Sequence, residues 1–296
     1  MIKVLIIGND GQLGSTLIDL AQRESFANFI STSLTDLDVT REEDLRDFFN
    51  QHKPNYIINC TAYTAVVNAE FEESLAHKVN ALGPQYMGKH AAAIGARVIH
   101  ISTDYVFDGL ANTPLTPETE PNPMSVYGRT KLDGEKLLFK ENPQSIVIRT
   151  AWLYSPYGQN FFKTILSLGS KQEEVDVVYD QVGSPTYAAD LASAILHILR
   201  RAAADAGAFK AGIYHYSNEG VCSWYDFAQM IYRKAGIKCK VNPIRTDVMK
   251  SMVHRPAYSV LDKTDFKKTF GLDIPYWTDS LEACLQQTLE QNPVKH

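Results

Sequence analysis

Short apolar runs alternate with longer stretches of helical periodicity along the first half of the chain. The apolar runs lie at 2–7, 29–33, 56–60, 98–107 and 145–154, and the helical stretches at 12–23, 41–51, 69–94 and 125–140. Continuous apolar runs of this length are typical of strands that are buried on both faces of a parallel sheet. The alternation therefore predicts an α/β fold with a doubly wound parallel sheet of the Rossmann type and right-handed crossovers.

A glycine-rich turn follows the first predicted strand. Its sequence is GNDGQLG, so that Gly8, Gly11 and Gly14 are each separated by two residues, and it leads into the predicted helix at 12–23. Glycines let the backbone approach a pyrophosphate, whose charge then meets free amides and the positive end of a helix. The spacing differs from the usual Gly-x-Gly-x-x-Gly, and a plain tight turn is the alternative. In this context we predict a dinucleotide site.

Two further segments lie beyond the carboxyl ends of predicted strands, where sheets of this kind bind ligands. Asp38 and Val39 suit the adenine edge, through a carboxylate and a backbone amide, although Asp38 could instead cap the next helix. The segment 61–64, TAYT, would let the cofactor's ribose and pyrophosphate pass close. No acidic residue directly ends the second strand to select NAD over NADP, and Arg41 could equally contact a phosphate. The predicted cofactor is therefore NADPH or NADH.

The pattern loosens in the second half of the chain. Strands are predicted at 175–179 and 212–216, a loop at 180–186, and helices at 188–202, 223–235 and 278–291. We expect residues 1–152 to form a dinucleotide-binding domain that a segment at about 187–215 rejoins. Residues 153–186 and 216–296 would form a smaller C-terminal substrate-binding lobe.

Tyr127 and Lys131 carry the candidate chemistry. In a helix at 125–140 they stand one turn apart, about 6 Å along the axis. A tyrosine needs a pKa shift of roughly 3 units, about 4 kcal/mol, to exchange a proton near neutral pH, and a nearby ammonium favours that shift. The hydroxyl of Thr103, at the end of a predicted strand, could hold a carbonyl oxygen against Tyr127. A solvated surface pair is the alternative, but the combination with the glycine turn predicts a ketone-reducing site.

Large polar and aromatic groups mark a candidate substrate site. Trp152 lies at the end of the predicted strand 145–154 and could form a wall for a sugar or a base, with core packing as the alternative. Arg255 could make bidentate contacts with a nucleotide diphosphate, or could be an ordinary surface arginine. Asn80 is predicted to be structural.

Composition limits the possible partners and compartment. The 296 residues carry a net charge of −5 and no basic run, which argues against binding to nucleic acid. The four cysteines lack metal-ligand spacing, and no metal site is predicted. No apolar run reaches membrane-spanning length and the first strand begins at once, so we expect a cytoplasmic protein without a membrane partner.

These residues belong to motifs that resemble the extended short-chain dehydrogenase/reductase superfamily and, within it, the dTDP-4-dehydrorhamnose reductases. The resemblance covers nearly the whole chain. It rests on GNDGQLG at 8–14, TAYTAV at 61–66, STDYVFDG at 102–109, YGRTK at 127–131, RTAWLY at 149–154, DQVGSPT at 180–186 and RPAYSVLD at 255–262. It implies reduction of the C4 ketone of dTDP-4-dehydro-L-rhamnose with NADH or NADPH.

The resemblance also implies roles for individual residues. Thr103, Tyr127 and Lys131 would be catalytic, and Asp104 and Trp152 would contact the sugar nucleotide. The cofactor would contact Gly11, Gln12, Leu13, Asp38, Val39, Ala62, Tyr63 and Thr64 in addition to Tyr127 and Lys131.

The chain departs from the family pattern at two positions. Val67 stands where the family usually has aspartate, which puts local contacts beside the site in doubt. Ser15 stands where a glutamate of the family's magnesium-linked dimer contact is expected, so that no metal is predicted and a homodimer is left open.

Two other functions fit parts of the pattern. A related epimerase or 4,6-dehydratase shares the threonine motif, but dehydratases place Asp-Glu after the threonine, whereas Asp104 is followed by Tyr105. A non-catalytic NADP-binding regulatory subunit is the other alternative, because reductase-like chains serve as partners of methionine adenosyltransferase.

Overall fold

The computed structural model describes residues 1–248 and 252–291. The strands are β1 Ile2–Ile7, β2 Ala27–Thr32, β3 Tyr56–Asn59, β4 Arg97–Thr103, β5 Ile146–Thr150, β6 Leu153–Tyr154, β7 Glu174–Val178, β8 Val182–Gly183, β9 Thr186–Tyr187, β10 Gly212–Tyr216, β11 Cys222–Ser223 and β12 Lys240–Ile244. The helices are α1 Gln12–Ala21, α2 Glu42–His52, α3 Val66–Ala69, α4 Glu73–His77, α5 Gly83–Ala93, α6 Val126–Glu141, α7 Phe161–Gly169, α8 Ala188–Ala204, α9 Trp224–Ala235, α10 Thr264–Phe270 and α11 Trp277–Gln291.

Six strands form a central sheet in the order β10-β5-β4-β3-β1-β2, and every pairing is parallel. The chain runs from β1 outward to β2, then returns to the other side of β1 and continues through β3, β4 and β5. This reversal opens a crevice beyond the carboxyl ends of β1 and β3, where doubly wound sheets bind ligands. The predicted fold class is confirmed.

Apolar layers cover both faces of this sheet. On β1, Val4 and Ile6 belong to a core shared with α1 and α8, whereas Leu5 and Ile7 belong to a core shared with α2 and α5. Successive strand residues point to opposite faces, so a strand that is covered on both sides needs apolar residues throughout. This explains the continuous apolar run at 2–7.

A second core lies outside the sheet and joins α7, α9, α11 and β7. Its large members include Phe162, Phe227 and Trp277. In contrast, Phe266 and Phe270 of α10 pack against the sheet core beside β10, although they fall within the segment 216–296 that was assigned to the smaller lobe. The division of the chain into two domains stays a prediction.

Several predicted elements differ in the structure. The helix expected at 69–94 is divided into α3, α4, a π-helical turn at Lys78–Leu82 and α5. The strand expected at 98–107 ends at Thr103 in a 3-10 turn, and the loop expected at 180–186 contains β8 and the first residue of β9. The strand expected at 145–154 breaks between β5 and β6, because Trp152 adopts a positive φ of 50° that no continuous strand allows.

Within the described parts of the chain, none of the helices combines the length and the apolar character that crossing a bilayer requires.

Candidate active site

A cavity of about 590 Å³ lies at the carboxyl edge of the sheet, between the sheet and the second core. Its walls contain the glycine turn, the end of β4, the start of α6, the segment that follows β5, and α9. The predicted site residues that line it are Gly11, Gln12, Leu13, Ala62, Thr64, Thr103, Asp104, Tyr127, Lys131, Trp152 and Arg255. Sequence positions that are far apart thus meet in one cavity.

The backbone of the glycine turn packs closely against itself and leaves no space for a side chain at Gly14. Gly8 has a φ of +86°, and a Cβ on Gly14 would lie 2.0 Å from the carbonyl oxygen of Gly8. Gly11 caps α1 without any side-chain hydrogen bond, so the first amides of this helix are not satisfied by a side chain. Gly11 and the start of α1 face the cavity. An anion would find free amides and the positive helix end there.

The side chain of Gln12 links the turn to the opposite wall. Its Oε1 accepts hydrogen bonds from Ser155 Oγ at 3.1 Å and from Asn160 Nδ2 at 2.8 Å. Nearby, the hydroxyl of Tyr157 donates to Asp19 on α1. We call this set of bonds the Gln12 clasp.

The segment 61–64 is only in part in the cavity lining. Ala62 and Thr64 line the cavity, whereas Tyr63 packs beside Tyr127 and donates its hydroxyl proton to Glu72. Asn80, predicted to be structural, is buried. Its side chain accepts a hydrogen bond from the backbone amide of Tyr63 and donates one to the carbonyl oxygen of Tyr63.

Asp38 and Val39 follow β2 and are not among the residues that line the cavity. The Asp38 carboxylate is exposed and accepts hydrogen bonds from the amide and the hydroxyl of Thr40, at 2.9 and 2.7 Å. It does not cap α2, whose preceding residue Arg41 makes no side-chain cap. Val39 is buried in the core beneath α5.

Tyr127 lies in the first turn of α6, where the hydroxyl of Ser125 caps the helix by accepting from the amide of Gly128 at 3.1 Å. Gly128 permits this position, because a Cβ there would lie 2.1 Å from the carbonyl oxygen of Tyr105. The Tyr127 ring meets Tyr105 edge to face, with centroids 5.5 Å apart. Its hydroxyl is near enough to that of Thr103 for the two to interact, and both side chains line the cavity. The predicted meeting of Thr103 and Tyr127 is therefore present.

Burial raises the pKa of Tyr127, and the hydroxyl of Thr103 opposes the shift only in part. This direction is opposite to the one expected from a neighbouring ammonium. Lys131 is buried one turn further along α6, but its Nζ contacts the carbonyl oxygen of Ile101 at 2.6 Å and His100 Nε2 at 3.2 Å. Burial lowers the pKa of Lys131 to about 8. The predicted lowering of the Tyr127 pKa by Lys131 is not seen in this arrangement.

Asp104 is a buried carboxyl group beside the catalytic candidates. Its Oδ1 accepts from Thr103 at 3.0 Å, while its Oδ2 has no hydrogen-bond partner among the residues that the structure describes. Burial raises its pKa to about 6, and the hydroxyls of Thr103 and Ser259 oppose this shift. A carboxylate with a free oxygen in a cavity is suited to accept a hydrogen bond from a ligand hydroxyl.

The raised pKa of Asp104 makes a prediction for stability. A carboxyl whose folded pKa is raised stabilises the fold below its unfolded pKa near 4, and this contribution is lost as pH rises through about 6. The raised pKa of Asp104 corresponds to about 3 kcal/mol of lost stability at neutral pH. Replacing the carboxylate by an amide removes this loss, but the cost of burying the amide without partners offsets part of the gain. Asp104→Asn is therefore expected to raise the free energy of unfolding by about 1 kcal/mol at neutral pH and not at pH 4. Urea denaturation at both pH values measures this.

The control is Asp133→Asn, which changes a half-buried carboxylate on α6. It should leave the free energy of unfolding within about 0.5 kcal/mol at both pH values. A gain at neutral pH that persists unchanged at pH 4 would contradict the assigned ionisation of Asp104.

Trp152 and Arg255 form the outer part of the site. The Trp152 ring stacks on Trp224, with centroids 3.6 Å apart and an interplanar angle of 11°. Arg255 lines the cavity, and its buried Nε has no hydrogen-bond partner within residues 1–248 and 252–291. Val67, the departure from the family pattern, is partly buried in α3 and does not line the cavity.

Sequence reasoning missed three features of the site. Trp224 was not identified, because its stacking partner lies in a distant segment. The ion pair between Glu135 and Arg149 is buried behind Thr103, with a shortest N–O distance of 2.7 Å, and Glu135 also accepts from the hydroxyl of Ser102. A glutamate one turn after Lys131 was the available signal for this pair.

The contact between Lys131 and His100 was the third feature that was missed. His100 lies in the apolar strand β4 and is fully buried. A histidine within an otherwise apolar strand run was the signal in the sequence.

Comparisons with known proteins agree with this geometry. A dTDP-4-dehydrorhamnose reductase from Aggregatibacter actinomycetemcomitans is 37% identical over 288 residues, which cover 95% of this chain and 98% of that protein. A crystal structure of a dTDP-4-dehydrorhamnose reductase from Clostridium acetobutylicum has 41% identity and a TM-score of 0.92, covering 97% of this chain and 99% of that chain. One from Bacillus anthracis, in complex with NADP, has 35% identity and a TM-score of 0.90, covering 97% and 99%.

The family resemblance inferred from the sequence motifs is thereby confirmed. The predicted class, an oxidoreductase with a nicotinamide cofactor, is confirmed at the level of the family, because these relatives are named reductases and one of them holds NADP. Residues 2–290 match the family described as RmlD substrate binding domain. The chain belongs to that family.

Proposed function

We propose that the chain is an NAD(P)H-dependent reductase that converts the C4 ketone of dTDP-4-dehydro-L-rhamnose into the hydroxyl group of dTDP-L-rhamnose. The observation that carries this proposal is the meeting of Thr103, Tyr127 and Lys131 in one cavity with the glycine turn. Each of these groups has a defined task in ketone reduction.

The glycine turn fits a dinucleotide cofactor. Its backbone leaves no space for side chains at Gly14, and the uncapped start of α1 offers free amides to a pyrophosphate. Gly11, Gln12 and Leu13 would hold that part of NADPH or NADH, and Lys131 would bind the nicotinamide ribose. The bound cofactor supplies the hydride that reduces the ketone.

Tyr127 would act as the acid. Its raised pKa keeps the phenol protonated in the cavity. As the carbonyl oxygen gains negative charge, Tyr127 donates its proton to that oxygen, and the hydroxyl of Thr103 holds the same oxygen in place. A cationic Lys131 would favour the resulting phenolate.

The outer part of the cavity would bind the sugar nucleotide. Arg255 has an unpartnered Nε and would contact the diphosphate. The free Oδ2 of Asp104 would accept a hydrogen bond from a sugar hydroxyl, and the exposed part of Trp152 would pack against the sugar ring.

The two rival functions are less well supported. A dehydratase would need a base after Asp104, but that position holds Tyr105, whose pKa burial raises to about 12. A non-catalytic regulatory subunit would have no need of Thr103 and Tyr127 in one cavity with a buried lysine.

The test is to mix the purified protein with NADPH or NADH and dTDP-4-dehydro-L-rhamnose and to follow oxidation of the cofactor and formation of the product. Reduction with either cofactor supports the proposal. Cofactor binding without oxidation would favour the regulatory subunit, and loss of water or inversion at another carbon without oxidation would favour the rival enzymes.

A further inference from the structure

We propose that Asn59 and His100 are positioning residues that favour the neutral amine of Lys131, so that binding of a nicotinamide cofactor through Lys131 takes up one proton from solvent. This inference rests on the proposed function for the identity of the ligand. It concerns a hydrogen-bonded chain from β3 through β4 to α6.

The orientation of the Asn59 amide is fixed by Thr61. Asn59 Oδ1 accepts hydrogen bonds from the backbone N–H of Thr61 at 2.9 Å and from its hydroxyl at 2.7 Å. A backbone N–H can only donate, so the oxygen of the amide must face Thr61. The NH₂ group of Asn59 therefore faces His100 Nδ1, at 3.0 Å.

This orientation fixes the tautomer of His100. Because Asn59 donates to Nδ1, that nitrogen carries the lone pair, and the proton of the neutral ring is on Nε2. Nε2 lies 3.2 Å from Lys131 Nζ. The N–H of His100 thus points at Lys131, which must accept the hydrogen bond.

Only a neutral amine can accept. Neutral Lys131 donates one proton to the carbonyl oxygen of Ile101, at 2.6 Å, and offers its lone pair to His100. An ammonium has three donors and no acceptor, so it would place two donors face to face, either at His100 Nε2 or, if the ring changed tautomer, at Asn59. The neutral lysine avoids any donor-to-donor contact in this chain of bonds, whereas the ammonium does not.

The other groups around Lys131 do not reverse this preference. Glu135, one turn further along α6, favours the ammonium but is engaged by Arg149 and Ser102. Tyr127 and Cys60 share the cavity lining with Lys131, and burial raises both of their pKa values, which keeps them uncharged.

The pKa shifts agree with the geometry. Burial lowers the pKa of Lys131 to about 8. Burial and the neighbouring Lys131 also hold the pKa of His100 well below its ordinary value, so that His100 acts through its tautomer and not through a charge.

The consequence is a charge change on cofactor binding. Ribose hydroxyl groups can accept from an ammonium, and pyrophosphate charge favours a cation nearby, so the bound cofactor raises the pKa of Lys131. The proton taken up makes Lys131 the cation that the phenolate of Tyr127 requires. Above about pH 8, Tyr127 therefore gains its cationic neighbour only when the cofactor is in place.

Isothermal titration calorimetry of NADPH binding, in pairs of buffers with different ionisation enthalpies, counts the protons taken up. We expect Lys131 to take up almost no proton at about pH 6.5, where it is already protonated, and more than about half a proton per site at about pH 9, which lies well above the pKa of Asp104 in the same cavity. Lys131→Met should abolish the uptake. Absence of uptake at both pH values, or its survival in Lys131→Met, would overturn the proposal.

Asn59→Asp tests the tautomer directly. A carboxylate can accept from Thr61 and also from His100 Nδ1–H, so it reverses the ring tautomer and lets Nε2 accept from an ammonium. Uptake at about pH 9 should then fall at least twofold, and its pH dependence should move upward by about one unit. In His100→Leu, the same Asn59→Asp change should have a much smaller effect.

The double variant distinguishes an effect through the His100 tautomer from a direct effect of the added charge on Lys131. If Asn59→Asp has an equal effect with and without His100, the added charge acts through space and the proposed role of His100 is wrong. The measured quantity is the heat of cofactor binding, so the experiment does not require ketone reduction. Uptake without ketone reduction would refute the proposed function alone, and reduction without uptake would refute this inference alone.

Discussion

Tyr127→Phe is expected to lower kcat for ketone reduction about 1000-fold, because a positioned general acid contributes on the order of 10²–10⁴ to the rate. The phenyl ring keeps the edge-to-face contact with Tyr105 and loses only the hydroxyl that would donate the proton. The dissociation constant for NADPH should therefore change less than about threefold. Initial rates of NADPH oxidation and a fluorescence titration measure the two quantities.

The matched control is Tyr214→Phe. Tyr214 is also a buried tyrosine, but it lies on β10, and its hydroxyl donates to the carbonyl oxygen of Lys210 at 3.2 Å, away from the cavity lining. This variant should keep kcat within about twofold of the original protein. Equal losses in both variants would mean that the loss in Tyr127→Phe comes from the fold and that Tyr127 is not the acid.

Arg149→Met is expected to lower the free energy of unfolding by about 3–5 kcal/mol, since it leaves a buried carboxylate without its charge partner. Arg149 and Glu135 are each only 2% exposed, and Arg149 donates two hydrogen bonds through Nε and one through Nη2. Urea denaturation followed by circular dichroism measures the change.

Two further variants define the origin of that loss. Arg129→Met removes an exposed arginine on α6, whose guanidinium lies 4.0 Å from Glu73, and should change the free energy of unfolding by less than about 0.5 kcal/mol. Arg149→Met combined with Glu135→Leu should recover a large part of the stability, because no buried charge is left alone. If the double variant is less stable than Arg149→Met, the desolvated carboxylate is not the cause.

The fold and the inner part of the site could be predicted because their signals are local. The run at 2–7 has apolar residues for both faces of β1, and the glycine turn follows directly. Tyr127 and Lys131 lie on one helix, and Thr103 ends a strand, so strand ends and helix spacing were enough to bring them together.

Other features depend on contacts that no local pattern contains. The break in the strand expected at 145–154 follows from the positive φ of Trp152, which is held in place where it stacks on Trp224 of α9. The direction of the Lys131 side chain depends on a carbonyl oxygen and on His100, both on β4. Helix spacing placed Lys131 near Tyr127 but could not say which acceptor its Nζ would meet.

The Gln12 clasp makes the two halves of the cavity dependent on each other. Gln12 belongs to the turn proposed for the pyrophosphate, yet its side chain holds Ser155 and Asn160 on the opposite wall. A dinucleotide that moves Gln12 would break its bonds to Ser155 and Asn160 and leave that part of the wall freer to adjust to the second reactant. Such a dependence would favour an ordered kinetic mechanism, in which the dinucleotide binds before the sugar nucleotide.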